Sequence, residues 1–170
     1  IYLNIFNNHC DRVKMANIAQ TVNVLQAMLL TKDDKMVKTP TFYVFKMYTV
    51  HHDALMLPLD IVSEQYTVED KSIPAISASA SKNAAGEINI TITNVNPDNK
   101  VSTPISLDDN KGFEVIKAEV ITADQINSLN DFDKEEAVNI KEFKDFKMKD
   151  SELVVELPAK SIVLLTIKAK

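Results

Sequence analysis

Glycine, cysteine and tryptophan are nearly absent from this sequence: 170 residues hold two glycines, one cysteine and no tryptophan. Average usage of about 7% would supply roughly twelve glycines, so Gly86 and Gly112 alone cannot build a phosphate-cradling loop, which excludes the usual nucleotide-binding motifs. Cys10 has no second cysteine for an intrachain disulfide or a cysteine-rich metal site. It favours a reducing, cytoplasmic setting, with periplasm or secretion left open. No apolar run approaches the roughly 20 residues of a membrane span, and no basic stretch with a cleavage site opens the chain. Basic excess is lacking as well. A formal charge of -5 argues against nucleic-acid and anionic-membrane partners, both of which need concentrated lysine and arginine.

What is present is ordinary for a soluble globular protein of one or two domains: 45% hydrophobic and 25% charged residues. The composition shifts near residue 53. Residues 1–53 hold four aspartates, no glutamate and six lysines or arginines, while the remainder carries an acidic excess. Two modules are therefore expected, 1–53 and 54–170, in contact because no Pro-rich or Gly/Ser-rich linker parts them.

The first module reads as helix, strand, hairpin, helix. Ile1, Leu3, Ile5 and Phe6 predict the end of a buried helix. Val13 to Ala19 is short, apolar and free of glycine and proline, as a buried parallel strand is. Leu25 to Thr31 and Met36 to Lys38 flank a polar turn, a hairpin pattern. Thr39-Pro40 is a helix start, with threonine at the N-cap, followed by an apolar face of Phe42, Phe45 and Tyr48 that runs to about His52. A lone parallel strand has nothing to pair with, so further strands are expected upstream of Ile1.

In the second module the period changes from 3.6 to 2. Ile76, Ala78 and Ala80 alternate with Ser77, Ser79 and Ser81, and Ile88, Ile90 and Ile92 with Asn89, Thr91 and Thr93, which predicts strands with one wet face. Similar stretches at 54–63, 100–107, 113–122, 152–157 and 161–168 are separated by turn signals, including Asp108-Asp109-Asn110-Lys111-Gly112. The fold class is therefore mainly β, an antiparallel, jelly-roll-like sandwich with one long loop at 124–142.

Several runs together resemble one family. His9 to Leu25 (HCDRVKMANIAQTVNVL) is similar to the last barrel strand of the α-L-arabinofuranosidases of glycoside hydrolase family fifty-one. Thr39 to Tyr48 (TPTFYVFKMY) resembles their final barrel helix, and Pro74 to Ser81 (PAISASAS), Val120 to Asp124 (VITAD) and Leu157 to Val163 (LPAKSIV) their C-terminal sandwich. The resemblance implies a (β/α)8 barrel whose last βα unit is residues 1–53, joined to a sandwich at 54–170. The implied enzyme removes terminal α-L-arabinofuranosyl groups with retention, one glutamate attacking the anomeric carbon and another protonating the leaving oxygen and then activating water. Residues 1–53 contain no glutamate. Both catalytic residues are thus expected before Ile1, and none is assigned here. No cofactor or metal is implied. The implied partners are arabinose-containing glycans, met through the parent enzyme, and further copies in a homo-oligomer, commonly a hexamer.

Gln20 is the one position that takes a role from the resemblance, contact with the arabinose at the subsite before the scissile bond. It comes just after the predicted strand, at the end where barrel enzymes place site residues, and its amide can donate and accept. The blander reading is an amide paired with loop backbone, and that reading is preferred for Asn17 and Asn23. His9-Cys10-Asp11 and His51-His52-Asp53 lack matched ligands for a metal and read as helix ends. The acid pairs Asp33/Asp34, Asp108/Asp109 and Glu135/Glu136 read as solvated turn charges. Phe143, Phe146 and Met148, interleaved with lysines, superficially resemble an RNA-binding stripe. Glu142, Asp145 and Asp150 dilute it, which leaves an amphipathic edge segment. Asn89-Ile90-Thr91 is a formal glycosylation sequon within a strand. Two other functions compete with the enzyme reading: a carbohydrate-binding module, disfavoured by the lack of tryptophan and a single tyrosine, Tyr66, beyond residue 53, and an oligomerisation module. Unpaired edges predict that the chain either aggregates or self-associates through Val13–Ala19.

Overall fold

A computed structural model describes residues 1–107, 112–149 and 152–169. It opens with helix α1 (Tyr2–Asn8), whose C-cap is His9. Its apolar residues form the buried face only in part: Leu3 packs against the core and Phe6 is half-buried. Ile1, Tyr2 and Ile5 are exposed, whereas the polar Asn4 is fully buried. The parallel strand expected at Val13–Ala19 is not formed: this stretch is irregular and largely exposed. A parallel ladder needs a neighbour on at least one side, and none is present among the described residues, so water takes its backbone groups.

The hairpin does form, as β1 (Leu29–Lys32) and β2 (Lys35–Lys38) around a tight turn in which Asp33 adopts φ 54°. It starts later than the apolar run suggests, because Leu25 is exposed. Helix α2 (Pro40–Tyr48) comes next, with proline in its first turn, and a 3-10 turn, Thr49–His51, ends it. Thr39 stands at the N-cap, but its hydroxyl makes no capping bond. It donates instead to the Ala27 and Met28 carbonyls at 2.7 and 3.2 Å.

The remaining strands are β3 (Leu55–Leu57), β4 (Gln65–Val68), β5 (Lys71–Pro74), β6 (Ile76–Lys82), β7 (Ile88–Asn94), β8 (Val101–Ile105), β9 (Phe113–Ile121), β10 (Lys141–Glu142), β11 (Phe146–Lys149), β12 (Glu152–Leu157) and β13 (Ser161–Ala169). One sheet has the order β10-β9-β13-β7-β6-β3 and the other β11-β12-β8, and all of their ladders are antiparallel. The strand expected over 54–63 shrinks to β3. Beyond it β4 and β5 pair only with each other, turning at Glu69 with φ 53°. Phe146–Lys149 is indeed an edge strand, while Phe143 is a core residue. The turn expected at Asp108–Gly112, with its acid pair, falls mostly outside the described residues.

Alternation decides which side chains meet between the sheets. Ala78 and Ala80 of β6, Ile90 and Ile92 of β7, and Val163, Leu165 and Ile167 of β13 point inward onto Leu153, Val155 and Leu157 of β12. Small alanines opposite isoleucines, Ala78 against Ile92 and Ala80 against Ile90, let the layers interdigitate. The outer face is not wet, contrary to expectation. Ser79, Ser81, Asn89, Thr91 and Thr93 are all buried, covered by α1 and the 3-10 turn. Farther along the sheet, Ile121 and Leu164 pack under Tyr43 and Met47 of α2 and Val138 of the long loop. The sequon asparagine, Asn89, is buried and accepts from the Thr166 hydroxyl at 2.8 Å.

At the tip of the β6–β7 hairpin Gly86 has φ 82°, a region that disfavours a Cβ. Space is not the constraint, since an added Cβ would meet only the Lys82 side chain at 4.0 Å. Gly86→Ala is expected to cost about 1 kcal/mol from backbone strain alone, a melting shift of roughly 2–4 °C. Thermal unfolding followed by circular dichroism checks this, and an unchanged melting point would refute the strain argument.

Candidate functional site

Gln20 lies exposed on an irregular segment. The residues on its C-terminal side are well tied. The Thr21 carbonyl accepts from the Met28 and Leu29 amides at 3.1 and 3.0 Å, Val22 makes a parallel bridge to Leu29, and the Asn23 amide donates to the Leu29 carbonyl at 3.1 Å. The side chain of Asn23 pairs with backbone, but at an exposed site and not with the buried groups expected, accepting from the Thr31 amide at 2.7 Å and donating to its carbonyl at 3.1 Å. Asn17 is exposed. Gln20 is thus held from one side only, with its amide open to solvent.

The other candidates resolve into structural parts. His9 caps α1, and its amide donates to the Ile5 and Phe6 carbonyls. Cys10 is a free, exposed thiol, and its carbonyl accepts from Lys14 Nζ at 2.7 Å. Among the described residues, no three His, Cys, Asp or Glu side chains are grouped to hold a metal. Asp33 and Asp34 sit exposed in the β1–β2 turn. Glu135 and Glu136 are exposed as expected, yet Glu136 also accepts from the Tyr43 hydroxyl at 3.0 Å, and burial followed by this carboxylate raises the Tyr43 pKa. These two residues edge an open polar cleft of about 420 Å³ between α2, β9 and the long loop. Its second carboxylate, Glu119, is paired with Lys117 at 2.9 Å. Tyr66, the sandwich's one tyrosine, is half-buried on the β4–β5 hairpin.

The most developed polar cluster was missed in the sequence. Asn4 Oδ1 accepts from Tyr48 Oη at 2.7 Å and from Ser79 Oγ and Thr91 Oγ1 at 3.0 Å each. Its Nδ2 donates to the Ser77 carbonyl and hydroxyl at 3.0 and 3.2 Å and reaches Thr93 Oγ1 at 3.4 Å. Beside it, His51 lies between two hydroxyls, with Nδ1 2.7 Å from Ser81 Oγ and Nε2 3.1 Å from Thr91 Oγ1. The network fixes the histidine tautomer. The Thr91 proton is directed into the Asn4–Ser79 cluster, so Thr91 accepts from Nε2–H and Nδ1 accepts from Ser81. Burial, with a smaller contribution from neighbouring His52, lowers the His51 pKa to about 4. Burial likewise raises that of Tyr48, against three hydrogen bonds that oppose the shift. These groups form a joint that ties α1, α2 and the 3-10 turn to β6 and β7 rather than a catalytic centre. No carboxylate takes part in it, and every polar atom named is already satisfied. The hydrogen bonds that α1 and the 3-10 turn make into the sheet link residues 30 to 89 positions apart along the chain, a separation no local pattern discloses.

Comparison with known proteins places this architecture. Residues 1–161 match the family model described as the α-L-arabinofuranosidase C-terminal domain. An intracellular exo-α-L-arabinofuranosidase of Bacteroides ovatus is 47% identical over 167 residues, 98% of this chain and 32% of that protein. The crystal structure of a GH51 arabinofuranosidase from Xanthomonas axonopodis pv. citri superposes with a TM-score of 0.92 at 38% identity, over 97% of this chain and 33% of that one. A family 51 α-L-arabinofuranosidase from Bifidobacterium longum shares the fold, with a TM-score of 0.81 at 23% identity over 96% and 34% of the two chains. The chain spans about a third of the length of these relatives.

Proposed function

The chain belongs to the α-L-arabinofuranosidase C-terminal domain family, and from that membership we propose that it is the carboxyl-terminal part of a retaining glycoside hydrolase releasing terminal α-L-arabinofuranosyl residues from arabinose-containing polysaccharides and oligosaccharides. In this reading residues 1–53 are the last strand and helix of the barrel and 54–170 the sandwich that braces it. Both catalytic glutamates come from the preceding two-thirds of the enzyme. One forms the glycosyl intermediate while the other protonates the leaving oxygen and later activates water. Gln20 contacts the arabinose, donating to one hydroxyl and accepting from another.

The family match across both modules carries the proposal. Two features of the molecule support it. The apolar side chains of Ile1, Tyr2, Ile5, Met15, Val22 and Leu25 are exposed on the helical module, the surface a barrel neighbour would cover. Val13–Ala19 has strand composition but no strand partner, as an isolated barrel stave would. Assembly into a homo-oligomer belongs to the same proposal.

The test is turnover of a chromogenic α-L-arabinofuranoside by the full-length enzyme. Hydrolysis with retained anomeric configuration is the expected result, and the 170-residue chain alone is expected to give none. Absence of turnover by the full-length protein, with hydrolysis of an unrelated glycoside, would overturn the assignment.

A further inference from the structure

We propose that Asn130, on the long loop of the sandwich, is a positioning residue for the segment that carries Gln20. The proposal rests on the reading of Gln20 as an arabinose contact. Asn130 is buried, with 2% of its surface exposed, in a loop whose flanking residues reach solvent. Its side-chain amide pairs with the backbone of Val138 as a strand would: Oδ1 accepts from the Val138 amide at 2.7 Å and Nδ2 donates to the Val138 carbonyl at 2.8 Å. That pairing closes the loop on itself and fixes the amide plane. The second N–H of Nδ2 then points at one acceptor outside the loop, the Lys38 carbonyl, at 2.8 Å.

Lys38 ends β2 opposite Leu29 of β1 and precedes Thr39. From there hydrogen bonds run without a gap to the candidate site. The Thr39 amide donates to the Met28 carbonyl at 3.0 Å and its hydroxyl to the Ala27 carbonyl at 2.7 Å, while the Met28 and Leu29 amides hold the Thr21 carbonyl next to Gln20. The other side of Gln20, residues 13–18, has no regular structure. Within the chain, then, Gln20 is placed through the hairpin, and Asn130 is the sandwich's hydrogen bond to that hairpin's end. This gives the sandwich a part in sugar binding without any of its residues touching sugar.

Two readouts test this. In the full-length enzyme, Asn130→Ala is expected to speed hydrogen exchange of the Met28 and Leu29 amides about tenfold or more and to leave Ile90 and Leu165 unchanged. In the full-length enzyme, Asn130→Ala and Thr39→Val are each expected to raise KM for an arabinofuranoside about tenfold with kcat within twofold. Neither is expected to add to the effect of Gln20→Ala in the double variant, since all three act through one contact. Should Asn130→Ala fail to fold, Asn130→Asp keeps the acceptor for the Val138 amide, and Thr39→Val removes the hydroxyl bonds to the Ala27 and Met28 carbonyls, weakening the next link without touching the sandwich. A normal KM in Gln20→Ala would overturn the substrate role of Gln20. A raised KM in Gln20→Ala with a normal KM in the Asn130 and Thr39 variants, or additive effects in the doubles, would overturn the positioning role alone. A lowered melting point with unchanged KM would reduce Asn130 to a structural residue.

Discussion

Asn4→Ala is expected to destabilise the chain by about 3–5 kcal/mol, most of it through groups that the mutation leaves behind. Removing the amide takes the acceptor from the hydroxyls of Tyr48, Ser79 and Thr91 and the donor from the Ser77 carbonyl. Each buried polar group left unsatisfied costs about 1–3 kcal/mol, and partial repair among neighbouring hydroxyls keeps the total below the simple sum. The internal control is Asn8, which is exposed and makes one bond, to the Ala78 carbonyl at 2.9 Å. Asn8→Ala is expected to cost at most about 1 kcal/mol. Urea denaturation of both variants decides the matter. Equal midpoints would show that the network does not hold α1 to the sandwich.

Acid is expected to loosen the same joint. His51 has a folded pKa of about 4, below its ordinary value of 6.5. The folded state therefore binds fewer protons than the unfolded one between these two values. Stability from the neutral imidazole is complete above about pH 6.5 and is lost as pH falls toward 4. The shift corresponds to about 3 kcal/mol at most, lessened by solvent at the partly exposed ring. Geometry gives the cause: Nδ1 already accepts from Ser81, and a second ring proton would force that hydroxyl to reverse and find a new acceptor in a buried site. The charged groups nearby give no relief, since His52 is adjacent in sequence and Lys82 comes directly after Ser81 on its strand. The measurement is unfolding free energy against pH for the wild-type chain and for His51→Gln, which keeps hydrogen-bonding capacity without titrating. The difference between the curves should change by about 2–3 kcal/mol from pH 7 to pH 4. Parallel curves would eliminate His51 as the acid-sensitive group.

Local chemistry made part of this fold legible. The polar turn at Lys32 to Lys35, the Thr39-Pro40 helix start and the alternation over 76–82 and 88–94 each carry a cause within a few residues, and each element formed, with only its far ends displaced. The β4–β5 hairpin, Gln65 to Pro74, has no counterpart among the expected strands, because its turn at Glu69-Asp70 uses none of the usual Gly or Asn signals, although Glu69 takes a positive φ. The serine and threonine face of β6 and β7 looked like a water face for a different reason. Binary pattern records polarity, and a polar face can be covered by another polar face when every group finds a partner. Asn4 on α1 supplies that cover, and no spacing rule links it to Thr91. Val13–Ala19 failed in the opposite sense: its composition suits a strand, but a strand is a property of pairs. For the candidate site, the resemblance alone gave Gln20 a role. Asn130 offered no signal at all, being one polar residue among many in a polar loop.

The final strand, β13, is flanked by β9 and β7 at the centre of the six-stranded sheet. Its register with both neighbours fixes how the two halves of that sheet meet. During synthesis β6, β7 and β9 leave the ribosome without the partner that joins them, exposing long edges and apolar side chains until residues 161–169 emerge. Closure of the sandwich therefore waits for the last of its strands. A nascent chain stopped short of Ser161 leaves β7 and β9 with unpaired edges, however well its first hairpins have already formed.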